Sequence, residues 1–178
     1  LYNALGFAVN DLAEIEVEFA KAPKGIAVYN AEGKKVASQY LGYQDGKAHI
    51  LVEASVPATG YAVYDVRTSG AGMQTVKQQH ANTLENSCYK LSFDANGDIV
   101  SLLDKCNGKE LVASGKAIRL ALFTENESFE WPAWEVLKKT LDREPVSITH
   151  GVKLTLVEDG DLRKSICIEK KHGESVFR

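Results

Sequence analysis

Both tryptophans of the chain fall in one stretch, Glu125-Asn126-Glu127-Ser128-Phe129-Glu130-Trp131-Pro132-Ala133-Trp134-Glu135. Aromatic faces stack on the apolar side of sugar rings, and carboxylates accept hydrogen bonds from hydroxyls. Trp131, Trp134 and Glu135 are therefore candidate substrate-proximal residues of a saccharide site. The same composition suits two indoles that anchor a long loop onto a sheet, and taken alone it favours that plainer reading. Other chemistry is thinly represented. His49, His80, His150 and His172 are scattered singly, whereas a zinc hydrolase needs its ligands grouped around an open position. Cys88, Cys106 and Cys167 carry no local signature of a nucleophile and read as plain core or surface residues. Gly70 and Gly72 lack the following Lys-Ser/Thr of a phosphate loop. No catalytic residue and no metal ligand is assigned within the chain.

The elements that would position these residues are strands. In Ala13 to Phe19, Ile15, Val17 and Phe19 share one face while Glu14, Glu16 and Glu18 share the other, which is the period of a strand with one dry side. Further strands are predicted at Gly25–Tyr29, Val36–Tyr40, Lys47–Val52 and Gly60–Arg67, with a turn at Asp45-Gly46. This close spacing suggests a small β-sandwich. From Thr68 to Thr83 the composition turns polar and reads as a linker, so a first domain is placed at 1–75 and a second at 76–178. In the second, Asn96-Gly97 predicts a two-residue hairpin between Tyr89–Phe93 and Ile99–Leu103, with Asp94 and Asp98 as turn residues. Ala117–Phe123, Val146–Val157 and Leu162–Glu169 are the remaining strand candidates. Between Glu130 and Leu141 a short helix started by Pro132 competes with an ordered loop.

Composition limits the partners. Of 178 residues 25% are charged, both signs are mixed along the chain, and the net charge is -3, so no basic stripe exists to follow a phosphate backbone. Charge interrupts every apolar run well short of the roughly twenty residues of a membrane-spanning helix. Neither nucleic acid nor a membrane is an expected partner. Three widely spaced cysteines, an odd number, fit a reducing compartment, and a cytoplasmic location is expected.

Several phrases, in order, resemble the C-terminal region of glycoside hydrolase family 38, the α-mannosidases. Leu1-Tyr2-Asn3-Ala4-Leu5-Gly6 resembles the phrase that opens the family's small β domain, and Val56-Pro57-Ala58-Thr59-Gly60-Tyr61-Ala62-Val63-Tyr64 the phrase that closes it. Leu84-Glu85-Asn86, the segment Gly97 to Lys105, and Glu110-Leu111 are similar to the "LEN", "GxIxSLxDK" and "xEL" elements of its large sandwich. Trp131 to Glu135 resembles "WDAWD", with Pro132 and Glu135 where the family has aspartates, and Val157 to Arg163 resembles "VExGPLR".

The resemblance implies an all-β chain. It would be a small β-sandwich followed by part of a larger antiparallel β-supersandwich of the galactose mutarotase/lactase type. It further implies a non-catalytic portion of a retaining, zinc-dependent hydrolase of terminal α-mannosides, supporting an N-terminal catalytic domain of the same polypeptide. The zinc would belong to that domain, because the family's His-x-Asp phrase is absent here. The Trp131–Glu135 loop would be the part nearest the α-mannoside. A stand-alone carbohydrate-binding or structural β-sandwich module is the rival reading. Cutting the large sandwich partway would leave open strand edges, so self-association into a homo-oligomer is also expected.

Overall fold

A computed structural model describes residues 1–70, 81–123 and 126–178. His80, Gly72, Glu125 and the domain boundary expected near residue 75 lie outside them. The protein is all-β: antiparallel sheets account for nearly every element. It divides into two compact units, Leu1–Lys77 with Glu158–Ser165, and Gln78–Val157 with Ile166–Arg178.

The first unit carries β1 (Tyr2–Asn3), β2 (Val9–Glu18), β3 (Ile26–Asn30), β4 (Lys35–Val36), β5 (Ser38–Gln44), β6 (Lys47–Val56), β7 (Gly60–Tyr61) and β8 (Tyr64–Thr68). One sheet runs β2-β6-β5 and another β4-β3-β8. Their facing side chains make the core: Val28 from one sheet and Ala48, Ile50 and Val52 from the other are completely buried. Ile15, Val17 and Tyr40 pack around them, while Glu14, Glu16 and Glu18 point to solvent. The alternation along β2 thus works as its period requires. Between β5 and β6 the turn demands positive φ at two successive residues, supplied by Asp45 at 52° and Gly46 at 81°, the geometry that matches strand twist in a tight hairpin. The predicted strand 60–67 is interrupted. Residues 60–61 pair with β1, whereas 64–68 pair with β3.

The second unit contains β9 (Thr83–Glu85), β10 (Tyr89–Phe93), β11 (Ile99–Asp104), β12 (Lys109–Glu110), β13 (Ala121–Leu122), the short helix α1 (Lys138–Leu141), β14 (Val146–Ser147), β15 (His150–Asp159), β16 (Lys164–His172) and β17 (Ser175–Phe177). The tip of the β15–β16 hairpin is the part counted with the first unit. The sheets run β12-β11-β10-β9, β13-β14 and β15-β16-β17. Phe93, Val112, Ile148, Leu154 and Leu156 are its buried apolar residues.

Two expectations are corrected here, and one open alternative is decided. The β10–β11 connection is wider than a two-residue hairpin. Asp94 N–H bonds the carbonyl of Asp98 at 3.0 Å, and the Asp94 carboxylate accepts the N–H groups of Asn96 and Asp98, both at 2.9 Å. The Asp94 side chain thereby outcompetes the tight turn. Strand 146–157 is broken between β14 and β15, since Val146 and Ser147 pair with β13. Helix forms only over Lys138–Leu141; the tryptophan segment before it is loop.

Candidate saccharide-facing loop

The loop between β13 and α1 is shaped by two polar side chains. Asn126 Nδ2 donates to the carbonyls of Pro132, at 2.9 Å, and Glu135, so one amide draws both arms of the loop together. Ser128, buried beneath, donates its hydroxyl to Glu135 Oε2 at 2.6 Å and receives the N–H of Trp131 at 3.3 Å. A turn closes between them, with the N–H groups of Trp134 and Glu135 on the Trp131 carbonyl at 3.1 and 2.8 Å. Glu127 sits between Lys139 and Arg143, whose cations hold its carboxyl below the usual range.

This framework leaves the aromatic rings outward. Trp131 is 58% exposed, Trp134 80% and Phe129 98%. Polar side chains, not the indoles, fix the loop in this chain. Exposed aromatic faces beside a carboxylate are the arrangement that stacks on a sugar and accepts its hydroxyls. Glu135 has one oxygen engaged by Ser128, which orients the carboxylate rather than removing it. The Pro132 ring stands where an aspartate was expected from the family phrase, but its carbonyl is used to hold the loop.

Among the described residues the histidines and acidic groups are dispersed. His49 lies 3.7 Å from Glu16, His150 and His172 are exposed, and among the described residues no three His, Cys, Asp or Glu side chains group closely enough to hold a metal ion. No helix among the described residues is long and apolar enough to cross a membrane.

The phrases singled out in the sequence prove to be a hydrogen-bonding framework. Asn3 Nδ2 donates to Phe7 and Pro57 carbonyls at 2.8 and 2.9 Å, and β1 pairs with β7 through Tyr2↔Tyr61 and Asn3↔Gly60; the opening and closing phrases of the small domain are thus laid side by side. Asn86 Oδ1 accepts the N–H groups of Cys88 and Tyr89 at 2.9 and 2.7 Å. Lys105 Nζ reaches Glu85 at 2.9 Å and the Asn86 carbonyl at 2.8 Å. Glu110 accepts the Ser101 hydroxyl at 2.6 Å and the N–H groups of Leu102 and Val112 at 2.8 and 2.9 Å. Arg163 forks onto Glu158 at 2.7 and 2.6 Å. Apart from the Arg163–Glu158 and Lys105–Glu85 side-chain pairs, each is a side chain satisfying a turn or an edge, the reason a fold needs that residue type there.

Sheets braced in this way define an all-β architecture built from antiparallel strands. A sequence model described as the C-terminal domain of glycosyl hydrolases family 38 matches residues 84–178, and the chain belongs to that family. It is 27% identical over 154 residues to human alpha-mannosidase 2C1, a match that covers 80% of this chain and 14% of that protein. The mouse alpha-mannosidase 2C1 gives the same identity and coverage. The chain thus spans a small part of the length of the relatives it matches.

Proposed function

We propose that this chain is a non-catalytic β-rich portion of a zinc-dependent, retaining α-mannosidase, bracing an N-terminal catalytic domain and lending the Trp131–Glu135 loop to the α-mannoside cleft. The observation that carries the loop's role is its construction: Asn126 and Ser128 hold it without help from the indoles, which leaves Trp131 and Trp134 open beside the Glu135 carboxylate. Membership of family 38 supports the parent activity. The aspartate nucleophile and the zinc are assigned to polypeptide outside this chain. Its three free cysteines support a cytoplasmic setting.

The test is made in the full-length parent. Trp131→Ala and Trp134→Ala should each cost about 1 to 3 kcal/mol of transition-state stabilisation, roughly a five- to hundredfold loss in kcat/KM. Melting temperature should change little, because neither ring is buried. Unchanged kinetics for both variants would reduce the loop to scaffold. The second reading, a stand-alone sugar-binding module, is favoured by the same exposed rings and predicts saturable heat on titrating mannosides into this chain alone.

A further inference from the structure

Cys88 and Cys106 are 18 positions apart, yet the β10–β11 hairpin brings them to one end of its sheet. The ladder pairs Tyr89 with Asp104, and the next bond runs from Lys105 N–H to the Cys88 carbonyl at 2.7 Å. Cys106 follows immediately. Its backbone is curled back by Asp104, whose Oδ1 accepts the N–H groups of Cys106 and Asn107 at 2.9 and 3.1 Å. Cys88 is held in the same way by Asn86. Lys105 then ties the two loops together through Glu85 and the Asn86 carbonyl. Both cysteines are exposed and free.

Directly opposed antiparallel residues keep their Cα atoms about 4.5 to 5.5 Å apart; Cys106 is one position beyond Lys105, which stands opposite Cys88, so a disulfide, spanning roughly 4.4 to 6.8 Å, would be a diagonal link across the open end of the hairpin. The thiols already interact. A hydrogen bond with Cys88 is the main influence raising the Cys106 thiol above its usual value, and the charge of a Cys88 thiolate adds to it. The raised value of Cys106 suits a resolving rather than an attacking sulfur, which leaves the attacking role to Cys88.

We propose that Cys88 and Cys106 form an exposed dithiol modification site that takes low-molecular-weight disulfides and closes to an intramolecular disulfide. The Cys88 thiolate attacks one sulfur of the small disulfide, a new S–S bond forms, and the first small thiolate leaves. Cys106 then gives up its proton and attacks Cys88 Sγ, expelling the second small thiolate. Two protein thiols and one small disulfide become one protein disulfide and two small thiols, so electrons and protons balance. Cys167, half-buried on β16, takes no part.

The experiment incubates the whole chain with oxidised glutathione, then applies thiol titration and peptide mass spectrometry. Two of the three thiols should be lost, with the Cys88 and Cys106 peptides linked and no glutathione retained. Cys106→Ser should instead accumulate a stable glutathione adduct on Cys88. Both sites are exposed, so serine leaves the fold intact, which circular dichroism checks. Persistent adducts on both cysteines of the unaltered chain without a link, a link to Cys167, or no reaction under these conditions would each overturn the assignment.

Discussion

The ammonium group of Lys170, on β16, donates to Asp98 Oδ1 just ahead of β11, and the two side chains are only 4% and 9% exposed. A charge pair removed from water is held by its own complementarity, and losing one member strands the other. Asp98→Ala should therefore cost about 3 to 5 kcal/mol. The double variant Asp98→Leu with Lys170→Met should recover much of that loss. Urea unfolding of both variants measures it; equal destabilisation would mean that the cost lies in packing.

Glu110 is the acid whose ionisation the fold most clearly favours. The hydroxyl of Ser101, followed by the backbone N–H groups of Val112 and Leu102, lowers its carboxyl from 4.5 to about 2. A depressed carboxylate contributes stability that is fully present above its unfolded value and is lost as pH falls through the folded one. The contribution should fade between pH 4.5 and about 2. A carbon-detected titration of the side chain follows it directly, and Glu110→Gln should flatten that part of the stability profile.

Gly160 leaves no room for a side chain. A Cβ there would lie 2.0 Å from Gln39 Cδ, and the Gln39 amide accepts from Leu162 and Arg163 N–H at 3.1 and 2.9 Å while donating to the Arg163 carbonyl at 3.0 Å. Gly160→Ala must push that amide away, at a cost of about 1 to 3 kcal/mol from unmade hydrogen bonds. Gln39→Ala should destabilise similarly, and the two effects should be less than additive. A thermal double-mutant cycle decides this; full additivity would contradict it.

The isolated chain should not hydrolyse aryl α-mannosides above background or retain stoichiometric zinc, since its described residues offer no ligand group. A chromogenic assay run beside metal analysis answers both points. Turnover with one equivalent of zinc would move the catalytic centre into this chain.

Self-association is expected for the isolated chain. Phe129 and Tyr2 are almost fully exposed, and Trp134 and Phe7 are widely so; apolar surface of this kind favours association in water. Light scattering should show an oligomer growing with concentration. A 19.5 kDa species unchanged at high concentration would go against this.

What the sequence revealed follows from the range of each interaction. The sorting of Ile15, Val17 and Phe19 from Glu14, Glu16 and Glu18 is local, and a strand formed there, although it begins earlier than read, at Val9, and ends at Glu18, one residue short of Phe19. Asp45-Gly46 is local too. At Asn96-Gly97 the dipeptide signal was real, with Gly97 at a φ of 70°, but Asp94 widened the turn by bonding to its own neighbours. Cys88 with Cys106, and Asp98 with Lys170, depend on strand register and on contacts 72 residues apart in the second case. No pattern of types reports those. In the tryptophan loop, composition drew attention to the indoles but not to Asn126 and Ser128 as the loop's fasteners, because most of their partners are backbone groups.

The Gln39 amide and its turn are separated by more than 120 residues, although they belong to one compact unit. During synthesis the first unit therefore gains one set of its bonds after its core strands are made. Its strands are complete by Thr68, yet Gln39 lacks its partners, and Glu14 lacks Arg163, until the chain has been made through Arg163. Closing so long a loop is slow but only modestly costly at equilibrium, so these late contacts add little cost to a unit begun at the other end of the sequence.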